Sequence, residues 1–103
     1  MEFDRFTVVL LRWPEEMPEF SEEQLEELQA GHIAFLASMR EEGRALASGP
    51  FFDQPDERLR GIALFKTDIE ETRTLLAEDP SVKAGRLAPE LMTWLVPRGS
   101  LPG

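Results

Sequence analysis

Three segments of this chain are apolar at consecutive positions where a half-wet strand would alternate. Phe6-Thr7-Val8-Val9-Leu10-Leu11-Arg12, Arg60-Gly61-Ile62-Ala63-Leu64-Phe65-Lys66 and Leu91-Met92-Thr93-Trp94-Leu95-Val96 are rich in β-branched, aromatic and aliphatic residues and read as strands. An antiparallel sheet with one face in water alternates apolar and polar side chains. Here Val8 and Leu10 alternate with Val9 and Leu11, Ile62 and Leu64 with Ala63 and Phe65, and Met92, Trp94 and Val96 with Leu91 and Leu95. Both faces of such a sheet need cover.

The segments between them supply helices. Trp13-Pro14 ends the first strand, and a loop with Pro14 and Pro18 leads to Phe20. Ser21-Glu22-Glu23-Gln24 has the spacing of a capping box, with Ser21 as N-cap and Gln24 three residues on. A helix is predicted from there to about Glu42, with Leu25, Leu28, His32, Phe35 and Met39 in one stripe, Leu36 widening it, and Gly43 as the stop. Ala45–Phe52 reads as a second strand broken by Gly49-Pro50, and Asp53–Glu57 as a polar turn. Asp68 with Glu71 marks a second helix start, running to about Glu78, where Pro80 bars its continuation. Ser81–Ala88 reads as a short turn or helical piece, and Gly99–Gly103 as a loose tail. Leu95–Ser100 also reads as a thrombin recognition sequence, but it continues a strand that the fold needs.

The order is βαββαβ, the pattern of a ferredoxin-like α+β sandwich: a four-stranded antiparallel sheet with two helices on one face. The 103 residues suit a single domain spanning residues 1–103. Two helices cover only one side of the sheet. The expectation is therefore a homodimer, sheet face against sheet face. The alternative is a monomer that tolerates exposed apolar residues, which single positions commonly do. Three strands with the same pattern favour the dimer.

Composition narrows the function classes. The formal net charge of −9 disfavours nucleic acid and anionic membranes as partners. Seven glutamates fall between Glu15 and Glu27, which reads as a solvated helix face. The chain has no cysteine and one histidine, so disulfides and thiolate catalysis are excluded, and neither a metal nor a cofactor is expected. No apolar run is long enough to span a bilayer and the N-terminal residues do not resemble a signal peptide, so a cytoplasmic protein is expected. No P-loop, dinucleotide fingerprint or oxyanion-hole motif is visible.

His32 is the natural carrier of any acid–base chemistry near neutral pH, because no other unperturbed side chain titrates there. In the middle of an apolar stripe it has an equally plain reading as a packed core residue. Gly31 beside it costs about 1 kcal/mol relative to alanine inside a helix, which makes sense if something approaches the backbone there. Asp79 is placed against local preference, because the C-terminal end of a helix disfavours acids and Pro80 biases Asp79 towards extended geometry. Its plain reading is a solvated turn residue. Ser48-Gly49-Pro50 marks a strand interruption, either a close approach or an edge kink. Arg12 and Arg44 suit an anionic substrate or, equally, surface ion pairs.

Leu28-Gln29-Ala30-Gly31-His32-Ile33-Ala34-Phe35-Leu36, then Glu42-Gly43-Arg44-Ala45-Leu46-Ala47-Ser48-Gly49-Pro50, resembles the signature of the YCII-related family: a helix histidine, an E-G-R turn and an S/A-G-P strand. Asp79-Pro80, followed by Ala84-Gly85, resembles that family's later D-P motif, and the resemblance extends to Pro97. It implies a dimeric α+β barrel with an active site built on a histidine–aspartate pair. By position, that pair corresponds to His32 and Asp79, with Ser48, Gly49 and Pro50 nearby as substrate-binding candidates; Arg12, chosen for its charge and not from the resemblance, is a further one. One branch of the family resembles enzymes that eliminate halide from hydroxylated aromatic rings. The wider superfamily includes lactone isomerases. Ser81 stands where family members often carry an aromatic residue, and the acidic loop Trp13–Phe20 is unusual, so relatives' substrates do not transfer directly.

Three readings follow. The first is an enzyme that moves a proton in an elimination or isomerisation of a small organic substrate, with His32 as general base or acid and Asp79 orienting it. The second is a non-catalytic small-ligand-binding or accessory protein with the same pocket. The third is a structural dimer module with His32 in its core, in which His32→Leu is neutral or stabilising.

Overall fold

The computed structural model describes Glu2–Leu101. Seven elements follow in chain order: β1 (Phe3–Arg12), α1 (Glu22–Glu41), β2 (Ala45–Pro50), β3 (Leu59–Phe65), α2 (Ile69–Leu76), α3 (Pro80–Lys83) and β4 (Ala88–Pro97). The four strands form one sheet in the order β2-β3-β1-β4, with every neighbouring pair antiparallel. This is the ferredoxin-like α+β arrangement.

Local signals place the helices. Ser21 caps α1 through a complete capping box: its Oγ accepts from Gln24 N at 3.1 Å, and Gln24 Oε1 accepts from Ser21 N at 2.8 Å. Asp68 caps α2 by accepting from Glu71 N at 2.8 Å. Gly43 takes a positive φ of 74°, which releases the chain from α1 into β2. Two differences from the predicted elements bear on the site. The second helix ends at Leu76 rather than near Glu78, and β2 runs through Gly49 to Pro50 without interruption. Gly49 stays in the ladder opposite Ile62 because β3 also carries a glycine here. The position a Cβ would take on Gly61 lies 2.8 Å from Gly49 O, so the two strands meet backbone to backbone.

Alternation along the strands separates two apolar faces. Val9, Leu11, Ala63 and Phe65 lie beneath the helices and, with Leu36, Met39, Ala45 and Leu76, make the core. Thr7 and Thr72 are buried with them and are satisfied: Thr7 Oγ1 donates to Thr67 O at 2.7 Å, and the Thr67 and Thr72 hydroxyls bond at 2.6 Å. On the opposite face Phe6, Val8, Leu10 and Leu64 are half-buried. Ile62, Met92 and Trp94 on that face are 38%, 38% and 45% exposed, so the chain's own helices leave it uncovered.

The C-terminal strand is longer than predicted. It pairs with β1 from Ala88 to Pro97, so Leu95, Val96 and Pro97 belong to the sheet. The tail expected to be loose is tied at its start: Gly99 N donates to Asp4 Oδ2 at 3.0 Å and Arg98 Nη1 to Glu2 Oε2 at 2.6 Å. Its end, Pro102–Gly103, lies outside the described residues. Among the described residues, no helix is long and apolar enough to cross a membrane.

Candidate functional site

Helix α1 presents Gln29, His32, Ile33, Leu36, Ala37 and Arg40 along one face, at the i+3/i+4 spacing that brings helical side chains together. That face and the β2–β3 edge of the sheet enclose a cavity of about 350 Å³. Leu11, Ser48, Gly49, Pro50 and Gly61 form its sheet side, and Ser81, Arg86 and Leu87 close it from the α3 region. Gly61 matters here, because it lies opposite Leu11 on the helix-facing side of the sheet, where a side chain would meet Gly49 O.

His32 Nδ1 lies 2.6 Å from Asp79 Oδ2. With Asp79 as a carboxylate, Nδ1–H is the donor, and in the neutral ring Nε2 then carries the lone pair. Nε2 makes no hydrogen bond to any described residue. Among the described residues no buried side-chain nitrogen or oxygen lacks a partner, so Nε2 is accessible, and the cavity is what His32 lines. The histidine is mostly enclosed, with 13% of its side chain exposed, and the aspartate is fully buried. His32 thus belongs to the inward stripe, as expected, yet is polar-partnered and open to the cavity on its other side.

Asp79 does not sit in the last turn of a helix. It is the N-cap of α3, with φ −67° and ψ 123°, and its Oδ1 accepts from Ser81 N at 2.9 Å. Pro80 then occupies the first helical position, where a missing N–H costs nothing. One carboxylate therefore caps α3 with one oxygen and holds the imidazole with the other. Ser81 adds a second tie, its Oγ donating to Leu28 O of α1 at 3.1 Å.

Gly31 explains how α3 comes so near. A Cβ on it would lie 2.9 Å from Pro80 Cγ, inside van der Waals contact. Gly31→Ala gains up to about 1 kcal/mol of helix propensity but incurs overpacking of roughly 1–3 kcal/mol against a rigid ring. The expected net result is a loss of about 1 kcal/mol, read as a lower urea midpoint with an unchanged m value. A stabilised variant would show that α3 yields freely.

The other predicted site residues divide. Ser48, Gly49 and Pro50 share the cavity with His32. Arg12 does not: its guanidinium binds Glu90 at 3.0 Å and faces Asp56 at 3.6 Å, because strand alternation turns it away from the helices. Arg44 likewise pairs with Glu42 at 3.3 Å. The cavity's cations are instead Arg40, Arg60 and Arg86, with Trp13 beside them. Arg60 lies over the Trp13 ring at 4.2 Å from its centroid, and Arg86 at 5.8 Å from the same centroid. The loop after β1 holds this wall, with Trp13 N donating to Arg58 O at 2.9 Å and Arg86 Nη1 reaching Met17 Sδ at 3.5 Å. Only the position of Trp13 directly after a strand hinted at this. The arginines carry no local mark in the sequence.

Comparison with known proteins agrees with this architecture. Among solved structures, the chain is similar to 5-chloro-2-hydroxyhydroquinone dehydrochlorinase from Burkholderia phenoliruptrix AC1100, solved in complex with 2,5-dihydroxybenzoquinone. The two share 15% identity with a TM-score of 0.60, over 91% of this chain and 95% of that one. At that identity the likeness is one of fold, the α+β sandwich found in dimeric α+β barrels. No curated protein sequence matches the chain. The model of the YCII-related domain matches residues 8–94, from β1 into β4, and over that length the chain belongs to the YCII-related domain family.

Proposed function

We propose that this protein is a small-molecule enzyme that transfers a proton in an elimination or isomerisation, acting as a homodimer. The observation that carries this reading is the 2.6 Å bond from His32 Nδ1 to the buried Asp79, with Nε2 left open on a cavity of organic-molecule size. A carboxylate on Nδ1 fixes the tautomer that leaves Nε2 basic, and it stabilises the imidazolium formed when Nε2 takes a proton. In an isomerisation Nε2 removes a proton from carbon and returns it to another atom of the same substrate. In an elimination the C–H electron pair becomes the new double bond and the leaving group departs with its own electrons. The dehydrochlorinase of the same fold favours the second, which places hydroxylated, halogenated rings first among substrates to assay.

Proton abstraction is testable before the natural substrate is known. A panel of small carbon acids, including hydroxylated chloroaromatics, is incubated in D₂O and examined by NMR for deuterium incorporation and by ion chromatography for halide. Exchange or halide release supports the enzyme. Binding of panel members with neither would transfer the site to the non-catalytic, ligand-binding reading.

The homodimer rests on the uncovered sheet face. Phe6, Val8, Leu10, Ile62, Leu64, Met92 and Trp94 make one apolar surface, and a second copy is its natural cover. Analytical ultracentrifugation is expected to find dimers. Trp94→Glu with Ile62→Glu, which sets like charges against each other across a twofold, is expected to give a folded monomer. A monomeric native protein would refute this assembly.

A further inference from the structure

The chain is strongly acidic, yet the cavity wall holds three arginines and no carboxylate. Among the described residues Arg40, Arg60 and Arg86 take part in no ion pair, as is also true of Arg5, Arg58, Lys66 and Arg73, but these three are the ones that line the cavity. Arg40 has a structural reason to be where it is, because it lies in the last turn of α1, where a cation complements the helix dipole. Arg60 and Arg86 have no such reason. They come from separate parts of the chain, β3 and the segment after α3, and converge on the indole of Trp13. Like charges brought to one ring repel, and cation–π attraction at half-exposed sites returns only a modest part of that.

Their hydrogen bonds leave most donors unused. Arg60 Nη1 donates to Glu57 O at 2.7 Å and Arg86 Nη1 to Met17 Sδ at 3.5 Å, and among the described residues neither guanidinium makes another bond. A guanidinium has five N–H donors in a planar fork that matches an oxyanion. Two such forks lie within cation–π range of one indole and line the cavity that His32 lines.

We propose that Arg60 and Arg86, held by Trp13, form an anion-recognition subsite, and that the ligand of this cavity is a small organic acid whose delocalised oxyanion, a carboxylate or phenolate, is bound there. Leu11, Ile33, Leu36 and Leu87 receive its apolar body, and its reactive part faces His32. The subsite deepens the proton-transfer reading and takes its functional meaning from it, but it makes a separate claim, because charge selectivity does not depend on turnover. Its position fits that chemistry. A guanidinium beside a substrate stabilises negative charge that develops when a nearby carbon loses a proton.

The test uses benzoate and its neutral counterpart benzamide, titrated into the protein while the arginine Nε–H and His32 ring signals are followed by NMR. Benzoate is expected to bind about tenfold or more tightly than benzamide, the margin of a charge-assisted pair. It should shift the Arg60 and Arg86 signals and weaken as salt is raised. Arg60→Gln and Arg86→Gln should each remove most of that preference while benzamide binding is unchanged, and Arg60→Lys should retain part of it. Equal binding of the two probes, no benzoate response at the arginines, or an unchanged preference in both glutamine variants would overturn the subsite and leave the arginines as a clamp on the loop at Trp13. His32→Gln separates the two claims. It should keep the benzoate preference, so a protein with charge selectivity and no proton transfer sinks the enzyme reading alone, and one with proton transfer and no charge selectivity sinks the subsite alone.

Discussion

Replacing His32 by glutamine is expected to lower proton transfer by about 10²–10⁴-fold, the usual contribution of a positioned acid–base group. The fold should survive. Glutamine is similar in length, and its amide can donate to Asp79 Oδ2, the partner that Nδ1–H now satisfies at 2.6 Å. That keeps the buried carboxylate hydrogen-bonded, which is what its desolvation requires. The amide has no basic lone pair to replace Nε2. The measurement is deuterium wash-in on whichever carbon acid the native protein exchanges, alongside circular dichroism and sedimentation. Full activity in His32→Gln would end the assignment, because no other histidine exists to take its place.

Asp79 carries the second large effect, and it separates two jobs of one side chain. Asp79→Ala removes the N-cap of α3 and the partner of His32 together. Loss of a cap is worth about 0.5–2 kcal/mol and loss of one member of a buried pair about 3–5 kcal/mol. The imidazole here retains slight exposure and its own route to solvent through the cavity, so a combined loss of about 3 kcal/mol is expected, a large fraction of a small domain's stability. Urea denaturation reads it directly. Asp79→Asn is more informative. Both partners of Asp79 are donors, Ser81 N–H at 2.9 Å and His32 Nδ1–H at 2.6 Å, and an asparagine has one acceptor oxygen where aspartate has two. If the oxygen keeps the cap, the amide NH₂ faces Nδ1 and forces the opposite tautomer, with Nε2 protonated. If it keeps the histidine, the NH₂ opposes Ser81 N–H and α3 loosens. Nitrogen NMR of the single histidine distinguishes the tautomers. The variant is expected to lose activity in either case, with stability falling only in the second. A variant equal to the native protein in activity, tautomer and stability would remove Asp79 from the mechanism.

Much of this fold was legible because its signals are local. The capping box at Ser21, the cap at Asp68, the stripe through His32 and Met39 and the stop at Gly43 act within one or two helical turns, so their meaning does not depend on distant residues. The doubled apolar pattern of β1 and β3 was legible for the same reason, since strand alternation is a property of consecutive residues. One local signal was read wrongly. Asp79-Pro80-Ser81 is a helix start, an N-cap followed by proline at the first helical position, and not a misplaced acid at a helix end. The error came from extending α2 past Leu76.

The sequence by itself determined the element order, the helix carrying His32 and the two apolar sheet faces, and through the resemblance of its motifs it implied, without showing contact, that His32 and Asp79 form a pair. Only the tertiary structure decided what that pair is made of and what it faces. The contact joins residues 47 apart in sequence, and it depends on Pro80 seating against the bare backbone of Gly31, a fit no local propensity encodes. The same holds for charge. Arg12 is an anion-ligand candidate that the sequence offers and Arg60 is not, but strand geometry hands the first to Glu90 and Asp56 and the second to Trp13 at the cavity. Which cation meets a carboxylate and which is left for a ligand depends on distances across the fold, because electrostatic partners are chosen by proximity in space and not by order along the chain.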